Sequence, residues 1–347
     1  MKILLDAMGG DNAPKSTVQG AADAVKEFGD GMTLALLGDE AKIKAAAQEL
    51  GVDLTPFELI HCTEDVDMHD DPVKAVRHKT DSSLVKGLTM LKNGEADAFV
   101  SAGSTGALLT GATLLVKRVK GIRRAAMGPA MPNKAGGKTV IVDCGANAEC
   151  TPEFLLQFGL VGSVYAKKQL GIENPKVGLL NIGTEDSKGT ALQKEAYALL
   201  KNAGEKGLVN FVGNVEARDV PLGAVDVVVC DGFNGNVLLK TIEGTAMFMG
   251  SLMKRMFKKN LLSKLGYLLC ASGVKDLTKM LDYREIGGTP FLGIRKPVIK
   301  AHGASDMLAF RNAVKQAADV AASDITGELE ENLQRLAAEK EKVTEHD

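Results

Sequence analysis

The chain contains 347 residues, of which 45% are hydrophobic, 25% charged and 4% aromatic, and its formal net charge is −2. This length allows a large buried core, whereas the near-neutral charge and the few aromatic residues argue against general nucleic-acid binding or stacking of single strands. The five cysteines form no C-x-x-C pair, so we expect free thiols in a cytoplasmic protein and no zinc site or disulfide framework.

Short apolar runs predict strands along the chain. In chain order, they cover residues 3–5, 33–37, 97–100, 139–142, 177–180 and 225–230. Helical patterns follow near residues 14–28, 39–50, 152–170 and 190–202. Alternating strands and helices predict βαβ units, and continuous apolar runs indicate strands that are covered on both faces. We therefore expect a three-layer α/β/α fold with a mostly parallel sheet and no membrane-spanning run of ~20 apolar residues.

Polar turns with glycines follow five of these strands. They are Asp6 with Gly9, Gly10 and Asp11; Ser101 with Ser104, Thr105 and Gly106; Asp143 with Gly145 and Asn147; Asn181 with Thr184, Ser187 and Lys188; and Asp231 with Asn234, Gly235 and Asn236. In open α/β sheets, ligands bind at the carboxyl ends of the strands, where glycines let backbone N–H groups approach an anion. Any single turn of this kind is explained by helix capping alone. Five together favour a site for a polyvalent anion.

Several conventional motifs are missing from the sequence. No G-x-G-x-x-G follows the first strand, and the GGKT at 136–139 lacks the first glycine and the following helix of a P-loop. No histidine adjoins a G-x-S-x-G-like elbow. His302, in the segment KAHGASD (300–306), precedes a glycine turn and a predicted helix N-cap, so a capping or core role competes with a catalytic one.

Seven motifs taken together identify a family resemblance. They are DAMGGDNAPK, SAGSTGAL, DCGAN, LLNIGTEDSKG, FVGNVEARD, DGFNGNV and KAHGASD, in this order. The set resembles the phosphate acyltransferase family of bacterial phospholipid synthesis, from Met1 to about residue 315. The resemblance implies a homodimer whose fold is related to phosphotransacetylases and to isocitrate and isopropylmalate dehydrogenases.

The resemblance also implies a reaction, in which a long-chain acyl group moves from acyl carrier protein to inorganic phosphate. A membrane glycerol-3-phosphate acyltransferase would then consume the acyl phosphate. Because phosphate can itself attack the thioester carbonyl, the reaction needs no protein nucleophile, cofactor or metal, but it needs a firmly held dianion and a stabilised oxyanion.

The family pattern points to Lys188 and Asn236 as the main catalytic residues. Lys188 is expected to hold phosphate or developing negative charge, and Asn236 to orient phosphate or stabilise the oxyanion. His302 is a weaker candidate, as proton donor to the leaving thiol. The residues expected to complete the substrate- and phosphate-binding cradle are Asp6, Gly9, Gly10, Ser104, Thr105, Asn147, Thr184 and Asn234.

An amphipathic, methionine-rich helical segment is predicted over residues 238–285, within a single acyltransferase domain of residues 1–347. Its apolar residues recur at spacings of three and four. For 238–253 we expect a core or dimer-interface helix. For 254–270, basic residues beside leucines predict reversible, peripheral association with an anionic membrane.

A second basic cluster spans residues 117–124. Solvated charge at a helix end and docking of the acidic acyl carrier protein are both open readings of it. Other functions compete with the acyltransferase as well: a short-chain phosphotransacylase that uses coenzyme A, a non-catalytic phosphate or lipid-phosphate sensor, and a decarboxylating dehydrogenase supported by fold analogy alone. The amphipathic segment and the DAMGGD opening argue against the first of these.

Overall fold

The computed structural model describes residues 1–280 and 282–344. The strands are β1 (Lys2–Asp6), β2 (Thr33–Gly38), β3 (Phe57–His61), β4 (Ala98–Ser101), β5 (Ala126–Met127), β6 (Ala130–Pro132), β7 (Lys138–Val142), β8 (Lys176–Asn181), β9 (Asn210–Glu216), β10 (Val227–Val229), β11 (Gly288–Leu292) and β12 (Val298–Ala301). The α-helices are α1 (Lys15–Phe28), α2 (Glu40–Leu50), α3 (Pro72–His78), α4 (Ser83–Asn93), α5 (Thr105–Gly111), α6 (Pro152–Leu170), α7 (Ala191–Glu205), α8 (Gly232–Phe257), α9 (Leu261–Met280), α10 (Met307–Ala322) and α11 (Ile325–Thr344).

The strands form two sheets. The first has the order β3-β2-β1-β4-β12-β11-β5, in which β3 to β12 are parallel and β11 is antiparallel to both of its neighbours. The second has the order β6-β7-β10-β8-β9, in which only the edge strand β6 is antiparallel. The expected mostly parallel α/β architecture is confirmed, with its strands divided between two sheets.

One buried apolar cluster extends through both sheets. It includes Ile3 and Leu5 from β1, Val140 and Val142 from β7, and Phe158 from α6. The cluster explains the continuous apolar runs of the sequence, because strands covered by helices on both faces have no solvent-facing positions.

Local sequence sets the ends of the helices. At the start of α2, the Asp39 carboxylate accepts hydrogen bonds from the backbone N–H groups of Ala41 and Lys42, and Gly51 ends the helix with a φ of 68°. A left-handed residue at this point is the usual helix stop, and glycine adopts it without steric cost. The observed helix confirms the predicted helix near 39–50.

α8 and α9 form a helical hairpin that contributes little to the core. Of the residues in α8, all described, only Gly232, Gly235 and Leu238 are buried, and none of the fully described α9 is buried. The segment 238–285, predicted as helical, contains two α-helices that are separated by a turn at residues 258–260, and residue 281 lies outside the described residues. The predicted core role for 238–253 holds only at its start, where Leu238 is buried and Leu239 and Ile242 pack against a core cluster, whereas Met247 is 77% exposed. The dimer-interface role for 238–253 stays a prediction.

Candidate active site

The carboxylate of Asp6, at the end of β1, connects three elements. Although it is buried, it accepts hydrogen bonds from Ser83 Oγ and Ser101 Oγ, both at 2.6 Å, and from the backbone N–H groups of Met8 and Gly9, both at 3.1 Å. Burial raises the pKa of Asp6, while these hydrogen bonds act in the opposite direction. Asp6 thus fixes the turn after β1 against the turn after β4 and against α4.

The glycines after β1 allow a close approach between loops. A Cβ atom added to Gly9 would lie 2.6 Å from the backbone nitrogen of Gly103, in the turn after β4. Gly10 has a φ of 101°, which side chains rarely adopt, and the next N–H, of Asp11, donates to the Gly303 carbonyl at 2.8 Å. The turns after β1, β4 and β12 therefore pack directly against one another.

His302 follows β12 and is exposed at this same edge. Its Nδ1 accepts a hydrogen bond from the backbone N–H of Ala304 at 3.2 Å, which places the proton of a neutral ring on Nε2. Desolvation lowers the pKa of His302, and the positive charges of Lys240 and Lys300 lower it further. The neutral imidazole is consequently favoured near pH 7, with one N–H to donate.

In the second sheet, Asp143 organises the turn after β7. It is fully buried and accepts from the backbone N–H groups of Met127, Ala146 and Asn147 at 2.8, 3.2 and 2.6 Å. The Asn147 side-chain amide donates to Asp143 at 3.0 Å and to the Ala125 carbonyl at 2.8 Å. Burial raises the pKa of Asp143, against these hydrogen bonds. Because Met127 belongs to the first sheet, the Asp143 carboxylate also joins the two sheets.

The first turn of α8 begins with a side-chain cap. Asp231 accepts hydrogen bonds from the Asn234 backbone N–H at 2.9 Å and from the Asn234 side-chain amide at 2.7 Å. The Asn234 side chain is therefore partly committed to the helix start. Asn236 is exposed, and its Cγ lies 3.9 Å from the position of a Cβ atom built on Gly145. The amide of Asn236 is thus presented beside the turn after β7.

Two glycines let α8 contact that turn. The Gly232 N–H donates to the Asn147 carbonyl at 2.7 Å. A Cβ atom on Gly235 would overlap the carbonyl oxygen of Asp143. Glycine is therefore the residue that permits this approach, and it holds the turns after β7 and β10 together.

The loop after β8 carries Lys188 and Thr184. The Asn181 side-chain amide donates to the Lys188 carbonyl at 3.2 Å, and Asn214 from β9 donates to the Glu185 carbonyl at 2.7 Å. These bonds hold the loop backbone, whereas the Lys188 and Thr184 side chains are exposed. The Lys188 ammonium lies 3.9 Å from the Glu185 carboxylate. It is accessible to a ligand at the edge of the second sheet.

The predicted site residues consequently lie in two groups. The first group is at the carboxyl edge of the first sheet and contains Asp6, Gly9, Gly10, Ser104, Thr105 and His302. The second group is at the corresponding edge of the second sheet and contains Asn147, Asn234, Asn236, Thr184 and Lys188. Since Lys240 of α8 acts on the pKa of His302, α8 lies close to the first group as well as carrying part of the second.

Sequence reasoning assigned no site role to Lys300, Ser83, Ser101 or Asp143. Ser101 and Asp143 stand in turns that the sequence singled out, but their function as anchors needs partners distant in sequence. Lys300 had a local signal, namely a lysine in the apolar run VIKA of β12, where a buried strand position is expected.

The thiols near the second group are poor nucleophiles. Burial raises the pKa of Cys144 to about 12 and the pKa of Cys230 well above its usual value. Both are buried, and their sulfur atoms contact backbone carbonyls of Gly235 and Asp143 at 3.4 and 3.3 Å. Neither thiol can supply a thiolate at neutral pH.

Among solved structures, the fold is that of the phosphotransacylases. The EutD phosphotransacetylase from Staphylococcus aureus aligns with a TM-score of 0.60 and 20% identity, over 92% of this chain and 94% of the other. A branched-chain phosphotransacylase from Enterococcus faecalis aligns with a TM-score of 0.55 and 15% identity, over 92% of this chain and 99% of the other. At these identities, the likeness defines the class of α/β fold.

Sequence comparison is more specific. The family model described as "Fatty acid synthesis protein" matches residues 1–327. A phosphate acyltransferase from Alkaliphilus oremlandii is 48% identical over 336 residues, covering 97% of this chain and 98% of the relative. One from Thermoanaerobacterium thermosaccharolyticum is 45% identical over 337 residues, with the same coverage of 97% and 98%. The chain belongs to the phosphate acyltransferase family.

Proposed function

We propose that this protein transfers a fatty acyl group from acyl carrier protein to inorganic phosphate and releases acyl phosphate for phospholipid synthesis. Family membership makes it an acyltransferase of lipid synthesis. The observation that carries the finer proposal is the direct packing of the turns after β1, β4 and β12 against one another, with α8, the helix that carries Asn236, close to His302.

The proposed chemistry is direct attack. An oxygen of HPO4²⁻ forms a bond to the thioester carbonyl carbon, the carbon–sulfur bond breaks, and the phosphate proton ends on the departing sulfur. The raised pKa values of Cys144 and Cys230 support this route, because a covalent acyl-enzyme would need an activated nucleophile.

The roles follow from exposure and charge. The exposed Lys188 ammonium is suited to hold a phosphate oxygen, and the exposed Asn236 amide is suited to donate to the oxyanion of the tetrahedral intermediate. Nε2 of His302 carries the proton when the ring is neutral, so it can donate a hydrogen bond that stabilises the departing sulfur, while the proton that the sulfur finally carries comes from phosphate. Asp6, Ser101 and Asp143 hold the turns in place beneath these groups.

Lys188→Ala and Asn236→Ala test this assignment. Each substitution should reduce the rate of acyl phosphate formation by about 10²-fold or more, as expected when a preorganised donor to developing charge is lost. The assay follows phosphate-dependent thiol release from palmitoyl-acyl carrier protein, with palmitoyl-coenzyme A as the competing carrier. Lys194→Ala, an exposed lysine at the start of α7, is the matched control and should leave the rate unchanged.

Two results would contradict the proposal. A rate within tenfold of wild type for either folded variant removes that residue from the core of the mechanism. Trapping of an acylated cysteine or serine on the enzyme excludes direct attack by phosphate.

We further propose that the hairpin of α8 and α9 contacts the membrane that receives the acyl phosphate. At its tip, Leu261 and Leu262 are 82% and 80% exposed, beside the exposed Lys258 and Lys259. No helix in the described part of the chain is long and apolar enough to span a bilayer. Exposed leucines beside cations are typical of helices that lie in the interface of an anionic membrane.

For docking of acyl carrier protein, we propose the basic loop, defined as residues 117–124. Val119 and Ile122 are buried and anchor it, whereas Lys117, Lys120, Arg123 and Arg124 are exposed. The loop leads directly into residue 125, whose carbonyl accepts the hydrogen bond from Asn147. An acidic carrier bound here would therefore lie next to the second group of site residues.

A further inference from the structure

A row of polar residues crosses the first sheet beneath the candidate site. β1, β4 and β12 are adjacent parallel strands, and Lys300 is in register with Ser101. Ser101 Oγ in turn donates to Asp6 at 2.6 Å. Two positions earlier in each strand, on the same face of the sheet, all three residues are apolar. One position earlier, on the opposite face, all three are apolar as well. The last position before the turns is therefore the point at which one face of the sheet changes from apolar to charged.

Lys300 is the unusual member of this row. It is only 7% exposed, and its ammonium donates to the Ala102 carbonyl at 3.2 Å and to the Ala301 carbonyl. A lysine ammonium has three N–H donors. Within the part of the chain that the structure describes, its hydrogen bonds account for two acceptors.

Burying this charge is costly. An apolar residue of similar length would pack against the neighbouring apolar face without the desolvation penalty of an ammonium, which amounts to several kcal/mol. The charges of Asp6 and Asp11 act on Lys300 favourably, but they offset desolvation only in part. A cation kept at this position, directly under the turn of residues 102–104, is best explained by an electrostatic role at the site above it.

We propose that Lys300 is a positioning residue of the phosphate site: it holds the Ala102 carbonyl from below and gives the turn of residues 102–104 a positive potential that favours a dianion. This inference rests on the proposed function and identifies a second cation for it. Lys188 is exposed and screened by solvent, whereas Lys300 acts from a medium of lower dielectric constant, where each charge has a larger effect.

The charge of Lys300 depends on pH in an accessible range. Desolvation lowers its pKa to about 8, although Asp6 from β1 and Asp11 from the following loop act in the opposite direction. His302, the neighbouring titratable group, is favoured neutral in this range. The ammonium is therefore present at pH 7 and lost as the pH rises through about 8. A bound dianion would favour the ammonium, so phosphate affinity should fall over the same interval.

Titration calorimetry of inorganic phosphate into the full-length protein tests the inference, with Lys300→Met and Lys296→Met compared between pH 7 and pH 9. Lys296 is the matched control because it also donates to a backbone carbonyl, that of Ala96, from the other end of the same strand region. Lys300→Met should weaken phosphate binding at least tenfold at pH 7. The fall in phosphate affinity that the wild type shows as the pH rises through about 8 should be absent from this variant. Phosphate ionisation is common to all variants and cancels in their ratio.

Phosphate binding within twofold of wild type, or an unchanged pH dependence, in folded Lys300→Met would overturn the inference. If that variant does not fold, Asp11→Asn decides. Asp11 is exposed, and its loss should move the pH midpoint of phosphate affinity downward; a fixed midpoint refutes the role of Lys300. Absence of phosphate binding by the wild type also overturns it, whereas phosphate binding without acyl phosphate formation refutes only the proposed reaction.

Discussion

Replacing Leu261, Leu262 and Leu265 with glutamate should release the protein from anionic vesicles. These leucines lie in the first turns of α9, just after the tip of the hairpin, and are 82%, 80% and 55% exposed. The tip is locally well formed, because Asn260 accepts a hydrogen bond from the Ser263 N–H at 2.8 Å and the rings of Phe257 and Tyr267 meet edge-on with centroids 5.3 Å apart. The substitutions therefore change the surface without removing core contacts.

The magnitude follows from the exposed area. Complete burial of a leucine side chain is worth about 2 kcal/mol, and these three recover roughly 4 kcal/mol if the bilayer covers what is now exposed. Since 1.4 kcal/mol corresponds to tenfold in an equilibrium constant, the apolar contribution alone amounts to about 10³-fold in membrane partitioning. Each cation near an anionic surface adds about 1 kcal/mol, so zwitterionic vesicles should bind the wild type much more weakly.

Vesicle co-sedimentation at fixed lipid concentration measures this partitioning. Leu222→Glu is the control, because Leu222 is 53% exposed in the loop that precedes β10, outside the hairpin. The triple variant should keep its activity on soluble substrate. Undiminished binding of the triple variant to anionic vesicles would refute the membrane proposal. If light scattering finds the wild type as a dimer and the variant as a monomer, the exposed leucines belong to a dimer interface instead.

Three further predictions concern stability, nucleophiles and docking. Gly235→Ala should lower the free energy of unfolding by roughly 2–4 kcal/mol because its Cβ overlaps the facing turn. Gly244→Ala, with open space around it in the same helix, should raise the free energy of unfolding by about 0.5–1 kcal/mol. Equal melting temperatures of the two variants would contradict the close packing of Gly235. Cys144→Ala should keep acyl phosphate formation within threefold of wild type, because a thiol with a pKa of about 12 is not ionised at neutral pH; complete loss in folded protein would assign the thiol a chemical role. Charge reversal at Arg123 and Arg124 should raise the apparent KM for acyl carrier protein about tenfold while leaving the KM for phosphate unchanged, and a KM that is insensitive to both charge reversal and salt would exclude this loop.

Local features of the fold were predictable from the sequence. The apolar runs at 139–142 and 177–180 are strands, and the helix predicted near 39–50 begins at its aspartate cap and ends at a left-handed glycine. The family motifs likewise identified the polar turns that follow the strands. These properties depend on neighbours a few residues apart, so the chain order alone contains the information.

The hairpin shows where periodicity reaches its limit. A methionine- and leucine-rich pattern with spacings of three and four predicted helix over 238–269 but not the turn at 258–260 that divides it, and the same pattern suits a core helix, a dimer interface and a membrane surface. The placement of Met247 in solvent depends on what the remainder of the chain leaves uncovered. That outcome is set by the packing of the whole molecule.

The division of strands between two sheets, and the site that results, was decided by tertiary structure. β12 pairs with β4, so Lys300 comes into register with Ser101 although their positions are far apart in the chain. Partners of this kind are selected by the burial of entire sheet faces, a sum over many weak and distant contacts that no local pattern records. The sequence by itself therefore determined the helices, the strands and the chemistry available in the turns. Tertiary structure decided which turns meet and which charge lies beneath them.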